Sequence, residues 1–289
     1  MVLVLMTVHD RKAKTLRSLE SVALQRVDAG VELGVVLVDD GCTDGTAEAV
    51  RERFPDVRVV TGPGNLYWNG GMRRAFEVAM VENPDFYLLL NDDTDLLPGA
   101  LRTLLETHAE RTQAEGRPCL VVGSTVDPAT GKHSYGGWRR GGRWNPMRLA
   151  RIPPGPATRP CDTMNGNCVL VPRDVVRRVG ILDAAFTHRM GDLDYGFRAA
   201  RDGCGIWLAP GFLAECEENS GAGLFVDPTL STREQWRRLL GPRGLPPPEW
   251  LTFTSRHAGP LWPVIFGWPY LKLWLNALSR RPVAGAGRS

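Results

Sequence analysis

The stretch Asp85-Phe86-Tyr87-Leu88-Leu89-Leu90-Asn91-Asp92-Asp93-Thr94-Asp95 decides how this chain is read. Its apolar run, Phe86 to Leu90, follows Pro84 and stops at a group of acids. A run that short, bounded on both sides, predicts a fully buried strand rather than a helix. Open α/β sheets bind ligands beyond the carboxyl ends of their strands. Acids gathered there repel one another unless a cation neutralises them. Hard oxygen ligands on a short loop suit Mg2+ or Mn2+, shared with a substrate's phosphates. Three isolated acids would read equally well as a solvated turn; the neighbouring sequence moves the balance toward a ligand.

On the amino-terminal side the same pattern recurs. Val2–Thr7 and Val35–Asp39 read as buried strands, and Val57–Thr61 as a third. Helical stripes follow each of them: Leu16, Leu19 and Ala23; Ala47, Val50 and Phe54; Met72, Phe76 and Ala79. After the acids, Pro98 opens a helix with Leu101, Leu104, Leu105 and His108 inward. Continuous apolar strands alternating with helices predict a mostly parallel, Rossmann-like sheet covered on both faces.

The second half is less regular. Leu120–Ser124, Cys168–Val171 and Ile206–Leu208 read as strands, Pro172–Val179 and Gly191–Arg201 as helices, the latter with Leu193, Phe197 and Ala200 inward. Residues 127–160 are rich in Gly, Pro and Arg and carry Tyr135, Trp138 and Trp144, which predicts an irregular hairpin or loop. Beyond Gly241 four prolines form a stiff connector. Trp250, Trp262, Trp268 and Trp274 follow, with Arg256, Lys272, Arg280 and Arg281. The expected organisation is a catalytic domain over 1–241, split into a ligand-binding half (1–110) and a second half (111–241), with an aromatic, basic extension over 242–289.

Composition bounds the function. The 289 residues are 43% apolar, enough for a full core, and the net charge of +3 gives no ground for a nucleic-acid partner. From Arg233 onward nine Lys/Arg face two Glu, a local charge of +7. Six cysteines without C-x-x-C pairing suit a reducing cytosol and exclude a patterned zinc site. Val2–Met6 is too short for a signal peptide, and prolines break the longest uncharged piece, His257–Leu271. A cytoplasmic protein is expected. Its tail suits the inner face of the plasma membrane, a dimer contact or packing against the catalytic domain.

At this point an ordered set of motifs carries a resemblance. Val38-Asp39-Asp40-Gly41-Cys42-Thr43-Asp44-Gly45-Thr46, Gly64-Asn65 with Asn69-Gly70-Gly71, and Leu90-Asn91-Asp92-Asp93-Thr94 resemble glycosyltransferase family 2. So do Gly166-Asn167, Val179-Gly180, Asp183, Phe186 and Gly191-Asp192-Leu193-Asp194 with Arg198. The set runs in family order over about 210 residues, which is what makes it specific. The resemblance implies a GT-A fold, a nucleotide-diphosphate sugar donor, a divalent cation and inversion at the anomeric carbon. It assigns Thr7, His9 and Asp39 to the nucleotide, and Asn65, Gly70 and Gly71 to a backbone approach at a helix start. Asn91 and Asp92 fall on the donor, and Asp93 on the metal, with His188 as a candidate further ligand. Asp192 matches the general base, ahead of Asp194, and Gly191 stands where the family commonly has Glu. Gly166, Asn167, Asp194 and Trp138 fall on the acceptor side. Bacterial cell-surface rhamnosyltransferases show similar Asn-Asp-Asp-Thr and Gly-Asp-Leu-Asp-Tyr variants, which points to a glycan or lipid-linked acceptor of the cell envelope. A sugar nucleotidyltransferase would need a glycine-rich loop after the first strand, and Thr7 to Lys12 has no glycine. A non-catalytic binding protein of the same fold would predict loss of Asp93 or Asp192, and both are present.

Overall fold

A computed structural model describes residues 1–26, 30–142, 146–219 and 224–279. Trp144, Arg280 and Arg281 lie outside the described residues. The chain packs as two compact units, Met1–Asn219 and Ser220–Ser289, so residues 224–241 pack with the carboxyl-terminal unit.

In the first unit the apolar runs become the expected strands. These are β1 (Val2–Val8), β2 (Leu33–Asp39), β3 (Arg58–Thr61) and β4 (Phe86–Leu90). All are parallel, in the spatial order β3-β2-β1-β4. The helices between them are α1 (Lys12–Ala23), α2 (Thr46–Arg53) and α3 (Tyr67–Met80). All seven residues of β1 are buried, as a strand covered on both faces requires. One face packs under Met72, Ala75, Phe76 and Ala79 of α3. The other packs under Leu19 and Val22 of α1.

Past the acids come β5 (Asp95–Leu96), α4 (Ala100–Glu115) and β6 (Cys119–Val126). Gly99, at φ +80°, makes the turn into α4 after Pro98. The 127–160 segment is more ordered than its composition suggests. It holds β7 (His133–Tyr135), β8 (Gly137–Arg140), β9 (Leu149–Arg151) and β10 (Arg159–Pro160). With β11 (Thr163–Met164), β8 and β9 make a small separate antiparallel sheet. The main sheet continues through β12 (Cys168–Pro172), which runs antiparallel to both β4 and β6. The helices α5 (Arg173–Val179) and α6 (Gly191–Arg201) follow.

Three expectations are corrected here. The last strand, β13 (Gly205–Glu215), is eleven residues rather than three. The sheet absorbs Pro210-Gly211 as an irregularity in register between Leu208 and Phe212, with Gly211 at φ +70°. On α6 the buried residues include Asp194, Tyr195 and Ala199, while Ala200 is exposed and Leu193 half-buried. An ion pair from Asp194 to Arg198 lets a polar face turn inward, which an apolar-stripe reading misses.

In the second unit α7 (Thr232–Leu240) is capped by Ser231, whose side chain accepts from Glu234 N. The helix α8 (Pro247–His257) starts inside the proline run, with Pro at its first turn. The helix α9 (Trp262–Ser279) continues through Pro269, which is the third correction: the His257–Leu271 piece is broken at the turn Gly259–Leu261, which holds Pro260, and not at Pro269. None of the helices among the described residues is long and apolar enough to cross a membrane.

Candidate active site

The carboxyl ends of β1, β2 and β4 deliver the first group of residues. Thr7, nearly buried at the end of β1, lies so close to Gly71 of α3 that a Cβ there would overlap its Oγ1. Gly71 therefore serves close packing of helix on strand. The helix begins at Tyr67, three residues before Gly70. His9 Nδ1 lies 2.6 Å from the Asp40 carbonyl. Asp39 Oδ1 accepts from Cys42 N at 2.8 Å, closing the turn after β2. Asp40 is more deeply committed: Oδ1 accepts from Gly64 N at 2.8 Å, and Oδ2 from Leu66 N at 2.8 Å and Tyr67 N at 3.1 Å. It thus fixes the loop that presents exposed Asn65 and the amino end of α3.

The acids beyond β4 gather around one guanidinium. Arg11 Nη1 reaches Asp93 Oδ2 at 2.8 Å and Asp92 Oδ1 at 3.3 Å. Burial pushes the Asp92 carboxyl up to about 7, with Asp93 adding to the rise and Arg11 opposing it. Cys216 Sγ lies 3.7 Å from Asp93 Oδ1, and Asn167 Nδ2 donates toward that sulfur at 3.6 Å. Burial holds the Cys216 thiol at about 12, so it stays protonated and donates. Asn91 faces away from this group. Its Oδ1 accepts from Trp68 Nε1 at 2.7 Å, and its backbone N–H donates to the Asn167 carbonyl at 3.2 Å.

Trp68 is the wall between two halves of the site. Gly166 lies against its ring, where a Cβ would collide. The Gly166 N–H in turn donates to Asp192 Oδ2 at 3.1 Å. Asp192 stands in the first turn of α6, with Leu193 N on its Oδ1 at 2.8 Å. Burial raises its carboxyl above the usual range, opposed by the Gly166 and Leu193 N–H groups and the Asn165 side chain. Asn165 Oδ1 accepts from Trp138 Nε1 at 2.7 Å, so Trp138 is tied to the base through one side chain. The Arg151 guanidinium lies 5.5 Å from the Trp138 ring.

Asp194 is not brought to this cleft. It is fully buried and takes Arg198 Nε at 2.7 Å, while that guanidinium also donates to the Val179 and Ile181 carbonyls. Its role is to tie α6 to the loop after α5, not to touch an acceptor. His188 sits at the head of α3, where Trp68 N approaches its Nδ1 at 3.4 Å and Tyr67 meets its ring edge-on. Asp93 is engaged by Arg11 and Cys216 instead. A separate group, Asp10, Cys42 and Asp44, places three donor atoms within 4.8 Å of one another. Its acids already serve the turn, through Thr43 N on Asp10 and Lys12 N on Asp44.

Arg11, Asp40, Trp68, Asn165 and Cys216 are absent from the sequence-based site. Arg11 follows a strand end but carries no spacing signal. Trp68 and Asn165 stand one residue outside the motifs that flank them.

The family model for glycosyl transferase family 2 matches residues 3–176. The N-acetylglucosaminyl-diphospho-decaprenol L-rhamnosyltransferase of Mycobacterium tuberculosis (strain ATCC 25618 / H37Rv) is 28% identical over 198 residues. That match covers 61% of this chain and 63% of the relative, so the chain spans under two thirds of it. An uncharacterized protein of Mycobacterium bovis is 27% identical over 161 residues, covering 54% of this chain and 55% of its own. Among solved structures, GalNAc-T7 with UDP, GalNAc and Mn2+ superposes with a TM-score of 0.59 at 13% identity. It covers 83% of this chain and 47% of that one. The likeness is one of fold, and the fold is the GT-A arrangement that the motifs imply.

Proposed function

Because the chain belongs to glycosyl transferase family 2, we propose that it moves a sugar from a nucleotide diphosphate to an acceptor hydroxyl. The donor is UDP- or dTDP-linked, and the anomeric centre inverts. The carrying observation is the position of Trp68. On one side it holds Asn91, next to the acids; on the other it backs Gly166, whose N–H orients Asp192. Trp68 thus links the loop of acids to the loop that orients the Asp192 carboxylate, which supports a donor site and a base acting together.

Donor recognition falls to Thr7, His9, Asp39, Asn65, Gly70, Asn91 and Asp92, all within residues 1–110, while Gly71 only lets α3 approach β1. The acceptor side is built from residue 111 onward, by Gly166, Asn167 and Trp138. Asp192 takes the proton of the acceptor hydroxyl as that oxygen attacks. Its carboxyl, raised by burial, is a stronger base than an exposed aspartate once ionised. The carboxylate pair Asp92 and Asp93 suits a divalent cation, because two acids share one guanidinium and one of them is held near neutrality. Asp93 would hold Mg2+ or Mn2+, which supplies neutralisation of the departing diphosphate. A third ligand from Cys216 does not fit a hard Mg2+ or Mn2+, which takes oxygen rather than sulfur donors.

A deoxyhexose such as rhamnose, passed to a lipid-linked envelope precursor at the cytoplasmic membrane face, is the substrate pair favoured. The mycobacterial relative acts on such an acceptor by its name. Calorimetric titration with UDP, dTDP and GDP, each with Mn2+ and with EDTA, tests the reading on wild type and Asp93→Ala. One nucleotide is expected to bind, and to fail with EDTA and in the variant. Binding indifferent to Mn2+ would remove the metal from the site, and no binding to any nucleotide would remove the donor.

A further inference from the structure

The helix α9 carries apolar residues on two faces. The inner face packs within its own unit: Leu273 is buried, Trp250 Nε1 of α8 donates to the Phe266 carbonyl at 3.1 Å, and Tyr270 OH donates to the Leu245 carbonyl at 2.7 Å. The outer face is a second stripe of Val264, Trp268, Leu271, Leu275 and Leu278, led by Leu261 from the turn just before the helix. Their spacing alternates three and four residues, and each is between 46% and 66% exposed. Trp274 beside it is also exposed. A stripe about 27 Å long, at 1.5 Å per residue, is far beyond the scattered apolar residues of an ordinary surface.

We propose that this stripe docks α9 flat onto an anionic lipid surface. Three observations favour lipid over a second copy of the chain. First, helices that are apolar all round belong in a core or a membrane; this one keeps one face out and is not long and apolar enough to cross. Second, a helix–helix seam of this spacing takes its partner specificity from charged flanks. The eighteen residues of α9 hold one charge, Lys272, which is exposed. Third, the charge balance is one-sided. From Ala258 to Ser289 the sequence has no acid and four cations, Lys272, Arg280, Arg281 and Arg288. Indole rings at headgroup depth beside cations that meet anionic headgroups form the composition of an interfacial helix.

The test is sedimentation of the full chain with vesicles of phosphatidylcholine alone and with about a third phosphatidylglycerol, an anionic share that sets the surface potential. The wild type is compared with the triple variant Trp268→Ser, Leu271→Gln, Leu275→Gln. All three positions are exposed, and far-ultraviolet circular dichroism reports that α9 and its unit are folded in each protein. The wild type is expected to pellet with the anionic vesicles and less with the neutral ones. The triple variant is expected to lose at least about tenfold in partitioning, given the apolar area removed, with nucleotide affinity unchanged. Wild-type protein left in the supernatant with anionic vesicles overturns the proposal. So does a wild-type dimer in sedimentation equilibrium that the triple variant converts to monomer without loss of vesicle binding. Because the nucleotide site and the vesicle assay are read separately, failure of one leaves the other standing.

Discussion

Asp192 is oriented by two backbone N–H groups and by Asn165, and each of them favours the ionised form. A base must be ionised to accept a proton, so activity rises with pH through the carboxyl's own titration. Burial places that limb above the ordinary aspartate range. Asp192→Asn is expected to lower kcat by about 10²–10⁴ with nucleotide affinity unchanged. Asn165→Ala is expected to keep activity and shift the acidic limb of kcat/KM to higher pH, because a hydrogen bond that favours the anion is lost. A pH–rate profile of the two variants checks both. At the acids the relation is competitive. Arg11 occupies Asp92 and Asp93 together, so Arg11→Ala is expected to strengthen Mn2+ binding to the nucleotide-free protein about tenfold, as removal of a close like-signed charge at a partly solvated site implies. Electron paramagnetic resonance of free Mn2+ reads this directly.

At the scale of elements, α6 shows why an apolar-stripe reading stops short. Tyr195 and Ala199 are buried as a helix packed on a sheet requires, but between them lies a buried ion pair. Asp194→Ala leaves the Arg198 guanidinium without its carboxylate in a nearly closed site. It is expected to cost about 3–5 kcal/mol in denaturant unfolding, the range for one partner of a buried pair. The four strand–helix repeats were readable because each strand is a bounded apolar run and each helix carries a stripe at 3.6-residue spacing, though on α1 Val22 rather than Ala23 faces inward, and β4 spans Phe86–Leu90 as read. The extension of β13 across Pro210-Gly211 was not readable, because pairing with β6 on the far side is a long-range contact. The same reason hid Arg11, Asn165 and Cys216, whose partners lie 81, 27 and 123 residues away or more closely through another strand. The acids themselves, and Asp192, stood out because their motifs are local.

At the scale of the whole molecule, two compact units share one chain. The first carries every residue assigned to the nucleotide, the base and the acceptor; the second carries α9. Each has its own buried residues, Leu239 and Phe253 among those of the second. Differential scanning calorimetry is expected to resolve two transitions, of which nucleotide with Mn2+ raises only the one belonging to Met1–Asn219. Saturation at a hundredfold over Kd would stabilise it by about 2.7 kcal/mol. A single transition shifted as a whole would mean that the units unfold together.

Gly191 also constrains how this sequence can change. Its Cα faces Asn69, whose Nδ2 is tied to the Asp183 carbonyl at 2.8 Å and the Phe186 carbonyl at 2.6 Å. Among the described residues nothing donates to Asn69 Oδ1, and any Cβ at 191 would overlap that oxygen. A glutamate at position 191 therefore cannot be accommodated by that substitution alone. Position 69 must shrink first, and until it does that change confers nothing by itself. One amide couples the two positions, so an engineer placing an acid at 191 would have to replace both residues together.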